Sequence, residues 1–382
     1  MKGAVAVNNK RGLGVYIHIP FCLKKCYYCD FCSFPDSDGE RVERYTKELC
    51  RRIERSEELR GAKIDTLYFG GGTPTLLPIE QFSVIIDSVG KSAALDENAE
   101  VTAECNPATA DLEYLRGLRA IGVNRLSIGL QSVHENELKA LGRAHSFEDF
   151  KTTYGWAREA GFANISADLM YGIPEQTIDS FEKSIYTLAG LAPEHISSYG
   201  LKVERGTAFH KMGDKLLLPH EDEECKMYLS MCRILPSLGY EKYEISNFAK
   251  KGYESRHNLK YWNCQEYIGF GVAAHSCVGG ERFGNSRDMD GFLRGENIEC
   301  ERYTLGERDR LNEYIMLSMR LREGLEISEL EKRLSSSLSD ILPNADQLVK
   351  MGYLQMCDGR VAFTDRGALV SNSILSDMLS FD

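Results

Sequence analysis

Six short apolar runs, each followed by an amphipathic helical stretch, set the narrowest limits on what this 382-residue chain can fold into. The runs are Val15–Ile19, Thr66–Gly70, Glu100–Cys105, Arg125–Leu130, Ile165–Met170 and Ile196–Leu201. Helical periodicity follows each, near Arg41–Glu58, Ile79–Val89, Asp111–Ala120, Phe147–Ala160, Ile178–Leu188 and Glu221–Leu238. Repeated strand-then-helix units predict a parallel α/β sheet with right-handed crossovers. A doubly wound sheet and an incomplete barrel both satisfy six such units. Either way, the active site belongs at the carboxyl ends of the strands. The polar and glycine-rich segments fall there: Gly70-Gly-Gly-Thr-Pro-Thr75, Glu104-Cys-Asn-Pro107, Gln131-Ser132, and Asp168 with Tyr171-Gly-Ile-Pro174.

After the first strand comes Cys22-Leu-Lys-Lys-Cys26-Tyr-Tyr-Cys29, a C-x3-C-x2-C spacing. Three thiolates can hold three irons of a [4Fe–4S] cluster and leave the fourth open to a small chelating molecule. A structural zinc site wants four ligands, usually with C-x2-C pairs, and would have to draft His18 or Cys32. The other cysteines, from Cys50 to Cys357, are scattered and read as free thiols in a reducing cytosol.

Composition removes several classes. A net charge of −11 argues against a general nucleic-acid binder. No run of about 18 apolar residues is present to cross a membrane. The stretch Met1 to Gly14 lacks the apolar core of a secretory signal. Beyond about residue 240 the texture changes. Gly239–Phe248 reads as a strand, and an irregular aromatic and glycine-rich segment runs to about Asn285. Helices return at Leu311–Arg322, Ile327–Arg333 and Ile341–Met351. A hairpin turned at Asp358-Gly359 and a final helix then complete a winged-helix-like α+β pattern. The expected division is 1–240 for the core, 241–300 for a connecting segment and 301–382 for the C-terminal domain.

The cysteine motif followed by Gly71-Gly72-Thr73-Pro74 resembles the radical S-adenosylmethionine (SAM) superfamily. The resemblance implies a partial (β/α)6 barrel, a [4Fe–4S] cluster on Cys22, Cys26 and Cys29, and SAM on the open iron. For SAM it implies Gly71, Gly72 and Thr73 at the methionine amine and Arg143 on the carboxylate. Glu104, Gln131 and Asp168 then serve the ribose hydroxyls or the ammonium, with Tyr16, Tyr28 and Gly200 around the adenosyl group.

Over nearly the whole chain the sequence is similar to the group containing oxygen-independent coproporphyrinogen III oxidase and the HemW-type heme chaperones. The oxidase pattern adds a cysteine two residues past the motif, where this chain has Phe31, and a long arm ahead of the cluster; here 21 residues precede Cys22. His257-Asn-Leu-Lys-Tyr261-Trp262 resembles the chaperones' H-N-x-x-Y-W motif. It implies heme contact through His257, Tyr261 and Trp262, with His275 competing as axial ligand. Val272-Ala273 stands where the family often has Pro-Gly. The expectation is a cytoplasmic heme carrier, monomer or homodimer, that hands heme to an acceptor such as a membrane respiratory enzyme. Peripheral contact with the inner membrane face is left open. The alternatives are the radical SAM dehydrogenase acting on coproporphyrinogen III and, more weakly, a zinc-binding structural protein.

Overall fold

A computed structural model describes residues 12–35, 38–334 and 337–379. The leader reading of the first residues therefore falls mostly outside the described chain. Six parallel strands form the centre: β1 Leu13–Ile19, β2 Lys63–Gly71, β3 Ala94–Cys105, β4 Arg125–Gln131, β5 Ile165–Tyr171 and β6 His195–Gly200. They neighbour one another in sequence order. A doubly wound sheet reverses its strand order at a switch point. This one does not, so the barrel alternative holds.

The connecting helices are α1 Gly39–Arg55, α2 Ile79–Ser92, α3 Leu112–Ala120, α4 Glu135–Ala140, α5 Phe147–Glu159 and α6 Ile178–Gly190; α7 Ala208–Met212 and α8 Glu221–Ser237 follow β6. Val42, Tyr45, Leu49 and Ile53 recur at helical spacing on α1 and are all buried. Ser146 and Thr177 start α5 and α6 with reciprocal capping boxes. Side chains alternate along each strand. One set (Val15, Ile17, Leu67, Phe69, Ile128, Ala167) belongs to the main hydrophobic core. The other set is polar and lines the barrel interior: Tyr16, Tyr68, Glu104, Ser127, Asp168 and Ser197.

The barrel does not close. Beyond β6 the sheet continues with two short antiparallel strands, and beyond β1 with four more. Here the structure corrects the sequence reading twice. Gly239–Phe248 is not one strand but β7 Glu241–Lys242 and β8 Asn247–Ala249, paired antiparallel. Buried Glu244 makes the turn between them by accepting the Ser246 N–H at 2.9 Å and the Asn247 side-chain amide. The segment read as irregular holds α9 Arg256–Trp262, β9 Tyr267–Phe270, β10 His275–Val278 and β11 Glu281–Asn285, and β12 Glu299–Thr304 follows. β9 lies parallel to β1, with Gly14 opposite Tyr267.

The C-terminal part has its own core around Ile315, Leu325, Leu330, Leu354 and Val361. A three-stranded antiparallel sheet, β13 Leu325–Glu326, β14 Leu354–Cys357 and β15 Arg360–Phe363, forms its wing. Asp358 and Gly359 both have positive φ (49° and 73°), as a two-residue hairpin turn of this hand requires. The helix expected over Ile341–Met351 is divided into Leu338–Ile341 and Ala345–Lys350. Pro343, which cannot donate a backbone hydrogen bond, stands between them. The expected final helix is likewise two, Asp365–Leu369 and Ser371–Met378. Arg322 N–H to Tyr243 O (2.9 Å) and Lys242 Nζ to Asp365 Oδ1 (2.8 Å) fasten this part to the barrel. Among the described residues no helix is long and apolar enough to cross a membrane.

Candidate functional site at the barrel mouth

The loop after β1 is closed at its neck by two backbone hydrogen bonds, Cys22 N to Phe34 O (2.9 Å) and Phe34 N to Pro20 O (2.7 Å). Its far side is tied to the barrel rim by Tyr27, whose N–H donates to Leu141 O and whose carbonyl accepts from Phe209 N. Cys22 is buried, and Cys26 and Cys29 are half-buried. None of the twelve cysteines is in a disulfide, and the eight from Cys50 to Cys357 are thiols, as their scattered spacing predicted. Burial raises the Cys29 thiol above its ordinary pKa, with the neighbouring Cys26 and Cys22 adding to the rise. Phe31 is 66% exposed at the loop's edge, and its carbonyl accepts from Lys25 Nζ at 3.0 Å.

The three thiols line a cavity of about 130 Å³. Eight further residues singled out from the sequence line it too: Tyr28, Gly71, Gly72, Thr73, Glu104, Gln131, Arg143 and Asp168. Chain segments about 150 residues apart meet there because most sit on or just beyond the carboxyl half of a strand, while Arg143 is supplied by the turn after α4. Gly71 has φ of 115°, and a Cβ on it would lie 2.5 Å from the His18 ring. One on Gly72 would lie 2.5 Å from the Phe21 carbonyl oxygen. Both positions therefore exclude side chains, and the turn stays against β1 through Gly72 N to Ile19 O (2.8 Å) and Thr73 N to Phe21 O (2.7 Å). Gln131 has φ of 74°, where the β4–β5 register skips a residue. Such strain at a rim is a mark of a built site.

Glu104 accepts the Gly71 N–H through Oε2 (3.0 Å) and the Tyr68 hydroxyl through Oε1 (3.0 Å). Burial pushes its pKa up to about 7 despite these two donors. Asp168 is raised as well by burial, against a Ser197 hydrogen bond and the Arg125 charge. Arg143 directs Nη1 toward Cys26 Sγ (3.5 Å) and shares Nη2 between Asn106 Oδ1 (2.9 Å) and Gly129 O (2.8 Å).

Asn106 was not among the expected site residues. Its Nδ2 donates to Thr73 Oγ1 at 2.7 Å, so one amide joins the glycine turn to the arginine. The available signal was its place in Glu104-Cys-Asn-Pro107, just past β3.

Two expected residues do not line the cavity. Tyr16 lies deeper, beside Tyr68 (centroids 6.2 Å apart), with its hydroxyl 3.0 Å from His18 Nδ1. Gly200 ends β6 beneath the Tyr171 ring.

The thiols suit a cluster better than a single ion. They surround one cavity, yet among the described residues no three Cys, His, Asp or Glu side chains converge as a lone metal ion needs. His18, the candidate fourth zinc ligand, has both ring nitrogens engaged, by Tyr16 and by Cys32 O (2.8 Å). Burial lowers its pKa to about 4.

The His257 motif lies elsewhere. α9 covers the opposite, amino-terminal end of the strands. His257 Nδ1 is 2.8 Å from Thr66 Oγ1, about 16 Å down β2 from Gly71 at the usual rise per residue. His257 is buried, Nε2 is 2.8 Å from the Tyr261 hydroxyl, and burial lowers its pKa to about 3. Both ring nitrogens are thus occupied. Trp262 is half-buried. His275 is exposed, with Nδ1 3.2 Å from Glu301 Oε1.

Residues 16–187 match the model of the Radical SAM superfamily, and residues 305–370 match that of the HemN C-terminal domain. The heme chaperone HemW of Bacillus subtilis (strain 168) is 34% identical over 376 residues, covering 95% of this chain and 98% of that protein. The chain belongs to the HemW family. The HemW of Escherichia coli (strain K12) is 33% identical over 374 residues, covering 96% of this chain and 98% of that protein. Among solved structures, the coproporphyrinogen III oxidase HemN of Escherichia coli, described as a radical SAM enzyme, superposes with a TM-score of 0.85. It is 25% identical, and the match covers 98% of this chain and 91% of that one. The radical SAM barrel and the HemN-type C-terminal domain expected from the sequence are both present. The superfamily implies a [4Fe–4S] cluster and SAM, and the mouth of this HemW-family barrel carries donors suited to both.

Proposed function

We propose that this protein is a heme carrier, binding heme together with a [4Fe–4S] cluster and SAM and delivering heme to a hemoprotein such as a respiratory enzyme. The observation that carries this reading is the full-length relationship to proteins named heme chaperones, 34% identity over 95% of the chain. Phe31, in the place of the oxidase's further cysteine, supports it.

In this reading Cys22, Cys26 and Cys29 hold the cluster. Arg143 grips the SAM carboxylate, whose approach gives a partner to Arg143 Nε, now buried without one. The Gly71–Thr73 turn and Glu104 receive the amine. Gln131 and Asp168 take the ribose hydroxyls and Tyr28 borders the adenosyl group, with Tyr16 and Gly200 set back behind the cavity wall. When bound, the cluster and SAM supply one-electron chemistry; the chain's own residues orient them and hold the charges. Heme approaches α9, at His257, Tyr261 and Trp262. For its iron to use an imidazole nitrogen, Thr66 or Tyr261 has to give up its hydrogen bond.

The fold likeness to HemN favours one rival, oxidative decarboxylation of coproporphyrinogen III. Anaerobic reconstitution separates the two. The carrier reading expects a Soret shift on heme titration, lost in His257→Ala while iron and sulfide content persist. No Soret shift with the reconstituted wild type, together with conversion of coproporphyrinogen III to protoporphyrinogen IX, installs the enzyme instead.

A further inference from the structure

The cluster mouth and α9 sit at opposite ends of the barrel, yet one side chain touches the machinery of both. Tyr68 projects from the middle of β2 into the barrel interior. Its hydroxyl donates to Glu104 Oε1 (3.0 Å), and the other oxygen of that carboxyl holds the Gly71 N–H (3.0 Å). The same tyrosine ring lies stacked on the His257 imidazole, with centroids 5.1 Å apart and planes 26° from parallel. His257 is fixed in turn by Thr66 and Tyr261, each at 2.8 Å, and by its own N–H on Glu100 Oε1 at 3.0 Å. The contacts form an unbroken column: Gly71, Glu104, Tyr68, His257, Tyr261.

From this column we infer that Tyr68 is a positioning residue that couples the SAM site to α9, so that SAM at the glycine turn opposes displacement of His257. The inference rests on the reading of α9 as the heme-contacting helix. Its physical content is simple. Glu104 is enclosed and depends on the two donors it has; losing one leaves a lone pair without a partner. Tyr68 can keep its donor on Glu104 only while its ring is backed by His257. An imidazole that swings out to reach heme iron takes that backing away and loosens Glu104 and the Gly71 turn. In the other direction, an ammonium group drawn to Glu104 fixes the carboxyl, the tyrosine and therefore the histidine. Each ligand then weakens the other by the same factor, as thermodynamic linkage demands.

The test uses the full-length reconstituted protein. Heme is titrated by Soret absorbance with and without saturating SAM, and radiolabelled SAM is titrated by equilibrium dialysis with and without heme. In the wild type SAM should weaken heme about fivefold or more, and heme should weaken SAM by an equal factor. In Tyr68→Phe the ring still covers His257 but the hydroxyl is gone. Cluster content should persist and SAM alone should bind more weakly, because Glu104 loses a donor, while the factor falls to about one. A purely structural tyrosine would alter the affinities without abolishing their mutual dependence. A second arm needs no heme: His257→Gln should change SAM affinity about threefold or more in the wild-type background and not in Tyr68→Phe. Unequal factors, a factor of one in the wild type, or an unchanged factor in Tyr68→Phe overturns the coupling. So does a His257→Gln variant with wild-type SAM affinity, even where Tyr68→Phe does not fold. If the wild type binds no heme at all, the carrier reading fails and the His257→Gln arm alone decides whether Tyr68 couples the two ends.

Discussion

Arg143 Nη1 stands 3.5 Å from the Cys26 sulfur, so the barrel rim and the cysteine loop share one guanidinium. Its Nη2 is already shared between Asn106 and Gly129, which leaves the buried Nε as the unsatisfied donor. A carboxylate arriving at that edge meets a group fixed in advance. Arg143→Lys keeps a positive charge but loses the planar fork. It should weaken SAM binding by about 2 kcal/mol, roughly thirtyfold, the scale of one charge-assisted hydrogen bond. Equilibrium dialysis with SAM checks this, and iron content should stay at the wild-type level.

Cys32 follows the motif closely, and its sulfur is absent from the cavity wall. Its contribution is a backbone one: the Cys32 carbonyl is 2.8 Å from His18 Nε2. Cys32→Ala preserves that carbonyl, so reconstituted protein should retain its iron, sulfide and visible absorbance. Cys26→Ala should lose most of all three. Iron and sulfide analysis of the two variants in parallel distinguishes a loop thiol from a cluster ligand.

The strand-ending motifs were legible because parallel α/β geometry alone sends them to one rim. Strand starts were less so. β2 begins at Lys63 and β3 at Ala94, earlier than expected, because polar residues such as Asp65 and Asp96 interrupt the apolar runs there. The position of α9 was not legible at all. His257 meets Thr66 across 191 residues and Glu100 across 157, and no local periodicity reports contacts of that range. β9 was hidden for a related reason. It is a four-residue strand with a glycine, too short to show alternation, and it exists because β1 offers a free edge. Asn106 was missed because its role lies in linking Thr73 to Arg143, a relation that only the fold creates.

Buried titrating groups set the pH range of stability. Burial holds His18 and His145 at about 4 and His257 at about 3, and drives His195 well below its ordinary value. Burial also raises Glu104 to about 7 and Glu244 to about 6. Between pH 5 and 6 the unfolded chain carries protons on the four histidines that the folded chain lacks. The folded chain carries protons on the two glutamates that the unfolded chain lacks. The unfolded state therefore binds about two more protons, and stability should rise with pH by about 3 kcal/mol per unit in that window. Above about pH 6 the slope flattens, because the unfolded histidines lose their protons around pH 6.5 while folded Glu244 and Glu104 lose theirs around 6 and 7, so the opposing contributions fade together. Urea unfolding at half-unit intervals should thus show a steep rise between pH 5 and 6 that levels off above about pH 7. His257→Gln should lower the slope by about 1.4 kcal/mol per unit, one proton's share.

Ala273 occupies the left-handed region with φ of 54°, at the place where the family often has glycine. Its turn survives because Tyr45 supports it: Val272 N donates to the Tyr45 hydroxyl (3.3 Å), which donates in turn to His18 O (2.8 Å). Ala273 N also donates to Ser286 O at 2.9 Å. The alanine Cβ costs about 1–2 kcal/mol in this conformation. Glycine removes that cost and adds about 0.5–1 kcal/mol of unfolded-state entropy to be lost on folding. The steric relief is the larger of the two, so Ala273→Gly should stabilise by about 0.5–1 kcal/mol. Ala273→Val, with a branched Cβ at positive φ, should destabilise by more than about 1 kcal/mol. Urea midpoints of the two variants should therefore move in opposite directions. Tyr45→Phe, which removes the hydroxyl under Val272, should deepen the loss in Ala273→Val beyond the sum of the separate effects.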